Sequence, residues 1–460
     1  MINPAIFREY DIRGVVGEDL TPEVAEAIAR AYARWLRQRG TPSRKVVVGQ
    51  DNRASSPALA QAAIRALRAG GFDVEDIGTV ITPVFYFARV HLGIDGGVMV
   101  TASHNPAQFN GFKLAQGFGT LYGEEIQDIR RLAGTPGEGI SAPGALGRQD
   151  IVPAYLAMLR EKIRLGPRRL RVAVDCGNGT ASLMAPQALR QLGCEVIPLY
   201  CESDPRFPHH HPDPTQEENL QDLIALVRRE RADVGIGLDG DGDRIGVVDE
   251  QGGIIWGDVL MILFWREILP RHPGTVGIVE VKCSQALYDE IERAGGKAIM
   301  WKVGHSLIKA KMKETGALLA GEMSGHIFFA HRYLGYDDAV YAGARLLELC
   351  SRETRTLAEL VDTLPRMVNT PEIRVEVPDD LKFKVVALAT ERLRARYPVV
   401  DVDGVRVKFP GAGGGWGLVR ASNTQPALVL RFEAGTPERL AEIRRIVEDE
   451  LAAVRAELGA

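Results

Sequence analysis

The sequence predicts an α/β chain of three related domains followed by a smaller α+β domain, on three observations. Its 460 residues exceed the usual domain length several-fold, which sets an expectation of roughly two to four domains. A plan of apolar strand, small-residue loop, amphipathic helix, glycine and second strand occurs three times in order. The segment beyond Thr363 abandons that plan for strands flanked by helices.

The first copy runs from KVVVG at Lys45 through DNRASS to a helix ending at Gly70-Gly71, then FDVEDIG. The second starts LRVAVD at Leu170, passes through CGNGTAS, and ends its helix at Gly193 before CEVIPL. The third starts TVGIVEV at Thr275, passes through KCSQ, and turns at Gly295-Gly296 before KAIMWKVG. Short continuous apolar strands joined by helices indicate βαβ units whose sheets are covered on both faces. Glycine after each helix supplies the left-handed residue that ends it. Between the first two copies, GTPGEGISAPGALG (Gly134 to Gly147) lacks periodicity and reads as a linker. QGGIIWGD near Gly253 reads as a tighter junction, and TLPRMVNTPE leads into RVEV, GVRVKF and ALVLRFEA. The expected domains are therefore 1–147, 148–253, 254–367 and 368–460.

Composition excludes several classes. Lys plus Arg is 56 against 60 for Asp plus Glu, a formal net charge of -4, so no nucleic-acid partner is expected. Hydrophobic residues at 45% and charged residues at 25% fit an ordinary globular protein. The longest strongly apolar run, Val259 to Trp265, is too short to cross a bilayer, so no membrane association is expected. The start MINPAIFREYDIRG carries no apolar secretory stretch. Cys176, Cys194, Cys201, Cys283 and Cys350 are odd in number, scattered and without C-x-x-C spacing. A cytoplasmic protein with reduced thiols is the expectation. The oligomeric state is left open.

Each domain sends out one polar loop. Thr101-Ala102-Ser103-His104-Asn105-Pro106 follows GGVMV; a serine between small residues there presents its hydroxyl outward, and an ordinary Asx turn is the alternative. Adjacent side chains diverge in extended structure, so a Ser103–His104 pairing is awkward. In Asp239-Gly240-Asp241-Gly242-Asp243-Arg244, three alternate carboxylates separated by glycines converge on one hard cation, for which Mg²⁺ is suited. An EF-hand fails because Arg244 stands where the loop needs glycine, and a solvated acidic turn would leave three carboxylates in mutual repulsion. Gly321-Glu322-Met323-Ser324-Gly325-His326 offers a carboxylate, hydroxyl and imidazole suited to vicinal sugar hydroxyls, or forms a plain turn. Arg420-Ala421-Ser422-Asn423-Thr424-Gln425-Pro426 suits a phosphate cradle, or again a capped turn, beside glycines Gly411 to Gly417 that suggest flexibility. His209-His210-His211, hemmed by prolines, reads better as a rigid loop than as a metal tract. Asp337-Asp338 reads as a helix cap.

Taken together, the four loops resemble those of the α-D-phosphohexomutase superfamily, most closely its bacterial phosphomannomutase/phosphoglucomutase group, from FREYDIRG to RASNTQP. TASHNP and DGDGDR are together highly specific; GEMSGH and RASNTQP select the subgroup. The resemblance implies three related mixed-sheet α/β domains plus a TATA-binding-protein-like fourth domain around a central cleft. It implies a reversible phosphoryl transfer between C1 and C6 of a hexose phosphate, mannose or glucose, through a phosphoserine and a hexose 1,6-bisphosphate that is both intermediate and activator. It assigns the phosphoryl group to Ser103, and Mg²⁺ to Asp239, Asp241 and Asp243 with a phosphoserine oxygen. Glu322 and Ser324 would grip the O3 and O4 hydroxyls, with His326 beside them. Arg420, Ser422, Asn423 and Thr424 would hold the phosphate not being transferred. Tyr10, Arg13, His104, Lys113, Arg244, Lys282 and His305 would serve as phosphate, sugar or proton-handling groups. Competing readings are a phosphoglucosamine mutase, a metal-dependent sugar-phosphate phosphatase and a noncatalytic sugar-phosphate sensor. The distal cradle argues against the phosphatase, and Ser103 together with three aspartates argues against the sensor.

Overall fold

The computed structural model describes residues 2–41, 43–135, 142–423 and 425–459. The chain divides into two compact units, Met1–Leu260 with His305–Val361, and Met261–Gly304 with Asp362–Ala460.

In the first unit a 7-stranded mixed sheet runs Ile12–Val15, Phe109–Gln116, Gly96–Val100, Lys45–Gln50, Asp73–Thr79, Leu146–Arg148, with Gly119–Thr120 paired to Phe109–Gln116. Lys45–Gln50 is parallel to both Asp73–Thr79 and Gly96–Val100, the geometry that a βαβ copy requires. Val46, Val47 and Val48 are all buried, so this strand is covered on both faces. The helix Ser56–Ala69 buries Leu59, Ala63 and Leu67, and the left-handed residue that follows it is Gly71. A 5-stranded sheet runs Ile254–Ile255, Ile245–Asp249, Val234–Leu238, Arg171–Asp175, Glu195–Leu199. Here too the βαβ copy gives a parallel pair, and Gly193 ends the helix Ala185–Leu192 in the left-handed region. The hairpin of Leu319–Gly321 and Ile327–Phe329 also belongs to this unit.

The second unit holds the parallel pair Val276–Glu280 and Lys297–Trp301 of the third copy. Its 6-stranded antiparallel sheet runs Val368–Asn369, Ala427–Ala434, Trp416–Ala421, Val405–Lys408, Val399–Val400, with Ile373–Glu376 paired to Ala427–Ala434. The helices Lys382–Arg394 and Pro437–Leu458 bury Val385, Leu393, Ile443 and Val447 in the same apolar cluster as Leu430 and Phe432.

Two expectations need correction. The linker from Gly134 to Gly147 ends in Leu146–Arg148, an edge strand parallel to Asp73–Thr79. Backbone pairing puts it there: Val74 N–H donates to the Ala145 carbonyl, and a Cβ on Gly144 would fall 1.9 Å from the Phe72 oxygen. Residues 136–141 of that stretch lie outside the described residues. The glycines taken as flexible run directly into the buried strand Trp416–Ala421. Gly417 is extended there because it pairs with Val407 on one side and Phe432 on the other, and a Cβ on it would lie 2.9 Å from the Phe432 ring. The junction QGGIIWGD holds the short edge strand Ile254–Ile255 before the helix Gly257–Ile268, and this reading needs no correction. Among the described residues no helix is long and apolar enough to cross a membrane, and none of the five cysteines forms a disulfide.

Candidate active site

The strand Gly96–Val100 is buried throughout and delivers the loop that carries Ser103. Ser103 has a φ of 50°, left-handed, and is only 2% exposed. The hydroxyl is therefore not presented outward as expected. It donates to Asp239 Oδ2 at 2.7 Å, and the same backbone turn brings His104 Nδ1 to 3.2 Å, against the expected divergence of neighbours. The turn is pinned by Arg53, which sequence reasoning passed over. Its guanidinium donates to the carbonyls of Pro106 at 2.7 Å, Phe109 at 3.1 Å, Ser103 at 2.8 Å and Asn105 at 2.6 Å. Asp51 Oδ2 takes the remaining Nε–H at 3.1 Å. The available signal was Asp-x-Arg directly after a buried strand.

Strands Val234–Leu238 and Ile245–Asp249 are antiparallel with Leu238 opposite Ile245, so Asp239 to Arg244 form the connecting turn. Asp239, Asp241 and Asp243 are each 0% exposed, and one carboxylate oxygen of each lies within 4.8 Å of the others. Gly240 permits this approach, since a Cβ there would meet the Ser103 carbonyl oxygen at 2.3 Å. Asp239 Oδ1 accepts the backbone N–H groups of Asp243 and Arg244. Asp241 Oδ2 accepts from Thr82 Oγ1 at 2.6 Å, Thr101 Oγ1 at 3.1 Å and Lys113 Nζ at 3.0 Å; Asp243 Oδ2 accepts from Lys113 at 2.5 Å. Asp241 Oδ1 and Asp243 Oδ1 are buried without a hydrogen-bond partner. Buried carboxylate oxygens without a hydrogen-bond donor, in a cluster whose three carboxylates approach within 4.8 Å, fit a hard cation.

The electrostatics follow from burial. Desolvation, and then the other two carboxylates, hold Asp239 well above the usual carboxyl range. Burial also pushes Asp243 upward, but Lys113 and His326 outweigh it and leave its carboxyl low. For Lys113 desolvation is outweighed by Asp241 and Asp243, so the ammonium stays charged. Burial, then Arg244 and Arg13, hold His104 well below the usual imidazole range, and burial with Lys309 does the same to His305. Both imidazoles are neutral at pH 7.

Other predicted residues gather in the same unit. Arg13 donates to Asn105 Oδ1 at 2.7 Å and pairs with Asp11 at 2.7 Å. Tyr10 packs edge-on to His305, ring centroids 6.2 Å apart. Arg244 Nε donates to His326 Nε2 at 2.9 Å, leaving His326 Nδ1 facing the Asp243 carbonyl at 3.1 Å and Asp337 at 3.1 Å. Gly325, with φ 88°, ties the GEMSGH loop to the end of the carboxylate turn: the Ile245 N–H donates to its carbonyl at 3.1 Å, and a Cβ on it would lie 2.2 Å from the Ile245 oxygen. Ser324 Oγ donates to Glu322 at 3.0 Å. Only Asp338 caps the helix Ala339–Arg352; Asp337 instead pairs with Lys309 at 3.2 Å, a correction to the paired-cap reading. His209 stacks on Tyr200 and His210 bonds Asp175 at 3.0 Å, separate partners that make the stretch a rigid loop.

In the second unit, Arg420 lies within the strand Trp416–Ala421 and donates to Asp403 at 3.1 Å. Ser422 Oγ accepts the Gln425 N–H at 3.1 Å, and Lys382 Nζ donates to the Ser422 carbonyl at 2.7 Å. Lys282 pairs with Glu372 at 3.1 Å and holds that carboxyl at about 2. Asn423 adjoins Ser422, and Thr424 lies outside the described residues.

Arg53→Met should be severe although Arg53 donates only to loop carbonyls and to Asp51. Breaking a buried ion pair by removing one partner costs about 3–5 kcal/mol, and here four carbonyls also lose their donor. The expected result is a lowered thermal midpoint together with faster proteolysis between Thr101 and Phe109; an unchanged digestion pattern contradicts the clamp.

Family models match the chain in series: phosphoglucomutase/phosphomannomutase alpha/beta/alpha domain I at residues 4–136, domain II at 153–253, domain III at 256–367 and the C-terminal domain at 372–450. The chain is 48% identical over 455 residues to a phosphomannomutase/phosphoglucomutase of Pseudomonas aeruginosa, covering 99% of this chain and 97% of the relative. A phosphoglucomutase of Neisseria gonorrhoeae is 43% identical over 443 residues, 95% of each. The crystal structure of a phosphoglucomutase/phosphomannomutase family protein from Burkholderia thailandensis superposes with a TM-score of 0.91 at 42% identity, covering 99% of this chain and 98% of the other. The buried serine and three-carboxylate turn thus sit in a chain that belongs to the phosphoglucomutase/phosphomannomutase family of phosphohexomutase isomerases.

Proposed function

We propose that this protein moves a phosphoryl group reversibly between C1 and C6 of a hexose phosphate, mannose or glucose, through phosphorylated Ser103 and a hexose 1,6-bisphosphate. The observation that carries the reading is the 2.7 Å hydrogen bond from Ser103 to Asp239 inside a fully buried cluster of three carboxylates. Asp239, Asp241 and Asp243 would hold Mg²⁺, which supplies charge neutralisation at the transferring phosphoryl group.

Phosphoryl transfer asks the protein for positioning and charge compensation more than covalent assistance. Lys113, held charged by two carboxylates, and Arg244, beside Asp239 and Asp243, supply fixed positive charge. The left-handed turn at Ser103 and the Arg53 clamp fix the attacking oxygen. Neutral His104 and His305, with Tyr10 and Arg13, line the serine side of the site. Glu322 and Ser324 would offer an acceptor and a donor to vicinal hydroxyls, whereas His326, its Nε2 taken by Arg244 and its Nδ1 by the Asp243 carbonyl and Asp337, would position Arg244 instead of meeting the sugar. Arg420, Ser422, Asn423 and Thr424, with Lys282, would bind the phosphate that is not transferred. One cradle serves both orientations of a bisphosphate, since either terminal phosphate fits it. Clamping O3 and O4 leaves C2, where glucose and mannose differ, without discrimination.

Ser103→Ala should lose turnover. Intact-mass analysis of the parent after incubation with glucose 1,6-bisphosphate should show one added phosphate, absent in the variant; full turnover by Ser103→Ala would sink the phosphoserine. Chelation with EDTA should abolish activity and Mg²⁺ should restore it, whereas Asp241→Asn should recover only partly at high Mg²⁺. An EDTA-treated protein of undiminished rate would contradict the metal assignment. Arg420→Ala removes a charge-assisted contact worth about 1.5–3 kcal/mol, roughly ten- to hundredfold in binding. Its KM should rise and added glucose 1,6-bisphosphate should stimulate it more than the parent, because the intermediate escapes before its second transfer. Lysine should rescue only part of the loss, lacking the planar fork. Unchanged KM and bisphosphate dependence would show the cradle to be misassigned.

A further inference from the structure

The parallel strands Arg171–Asp175 and Glu195–Leu199 place Asp175 opposite Leu199, so both chains leave the sheet at the same end. Cys176 follows the first strand directly; Cys201 follows the second after Tyr200, whose φ of 48° turns the chain back. Their sulfurs lie 3.3 Å apart, and Cys201 Sγ is also 3.3 Å from the Val174 and Leu199 carbonyl oxygens. Both thiols are free; Cys176 is buried and Cys201 is partly exposed. Neither touches Ser103 or the carboxylates, so the transfer reaction gives this contact no role.

We propose that Cys176 and Cys201 form a reversible dithiol–disulfide site, oxidised by hydroperoxide through Cys201 and mechanically coupled to the metal loop. The hydrogen bond with Cys176 holds the Cys201 thiol below its usual range, and the same contact with burial raises Cys176. Cys201 is the accessible sulfur of the pair, and so the one a peroxide meets first. Its thiolate attacks one oxygen of hydrogen peroxide, the O–O bond breaks, hydroxide leaves, and Cys201 becomes a sulfenic acid. The Cys176 sulfur then attacks the Cys201 sulfur, the S–O bond breaks, and the departing hydroxide takes the Cys176 proton as water. Two thiols give up two electrons and two protons; one peroxide becomes two waters.

The coupling is steric. Forming the bond draws the sulfurs roughly an ångström closer, to about 2.05 Å. The turn after Cys176 cannot absorb that freely: Thr180 N–H donates to the Gly240 carbonyl at 2.9 Å, and a Cβ on Gly179 would sit 3.0 Å from Gly240 Cα. Asn52 adds a hydrogen bond to the Asn178 carbonyl at 2.8 Å. Gly240 stands between Asp239 and Asp241, so displacing the turn displaces the carboxylates.

The full-length protein is treated with hydrogen peroxide, remaining thiols are alkylated, and the digest is read by mass spectrometry. A linked Cys176–Cys201 peptide is expected, lost on dithiothreitol, with Cys194, Cys283 and Cys350 alkylated. Mutase activity should fall on the order of tenfold, the lower end of what disturbing groups around metal ligands costs, and return with dithiothreitol. Cys201→Ser should keep the parent's basal rate and ignore peroxide. Recovery of Cys201 as sulfinic acid beside alkylated Cys176, or a linked peptide with no change in rate, overturns the proposal. The rate arm rests on the mutase reading; if the untreated protein has no mutase activity that reading fails, while the linked peptide still decides the pair.

Discussion

The site is organised around one electrostatic constraint: three carboxylates at 0% exposure, close enough to share an ion. Isolated buried charges are among the most expensive features a fold can carry, so donors must be recruited from wherever the backbone can bring them. Besides the Ser103 hydroxyl on Asp239, they come from four places. Lys113 reaches in from Phe109–Gln116, Thr82 from the first turn of Thr82–Leu92, Thr101 from the end of Gly96–Val100, and two N–H groups from the carboxylate turn itself. The 7-stranded and 5-stranded sheets are thereby joined at their loops. The glycines at 240 and 242 are a consequence, since side chains there would strike the Ser103 carbonyl and Ile81.

A second constraint of the same type shapes the C-terminal unit. Arg406 is fully buried and stacks on Trp416, its guanidinium carbon 3.7 Å from the ring centroid, while donating to the Val281 and Cys283 carbonyls. Burial pushes this guanidinium down to about 10. Trp416 Nε1 in turn donates to Glu433 at 2.8 Å across the pair of strands. Trp416 begins the strand in which Arg420 sits, so Arg420, proposed above to hold a phosphate, projects from a backbone locked by packing and buried polar contacts. A preorganised arginine loses less freedom on meeting a phosphate than one on a mobile loop.

What the sequence made legible was local. The βαβ copies announced themselves because β-branched runs, helix patterning and terminal glycines lie within one short stretch, and the carboxylate turn because aspartate and glycine alternate in six residues. The strand Trp416–Ala421 was missed because glycine signals freedom until a partner is known, and here Phe432 on the neighbouring strand fills the space a side chain would need. Leu146–Arg148 was missed for a related reason: it is held by backbone pairing, which leaves little trace in composition. Arg53, Thr82 and Asp337 act on residues distant in sequence, and no periodicity reports such contacts. The Cys176–Cys201 approach was hidden in the same way, although both follow strands that the pattern identified.

The geometry at Ser103 shows which force prevails. A non-glycine residue in the left-handed region costs about 1–3 kcal/mol, and burying its hydroxyl requires a partner. Asp239 supplies the partner but does nothing for the backbone. Arg53 does: hydrogen bonds to charged groups contribute roughly 1.5–3 kcal/mol each, and four carbonyls of the loop share its guanidinium. Asp51 holds the guanidinium itself in place through a 3.1 Å ion pair. The turn is therefore imposed from behind, by a side chain that touches neither Ser103 Oγ nor the carboxylates. This leaves the hydroxyl to Asp239 and His104, with no part of it spent on holding the turn. In-line transfer requires an attacking oxygen held in one place with its environment preorganised, and the buried arginine meets that requirement without occupying the space in which the chemistry happens.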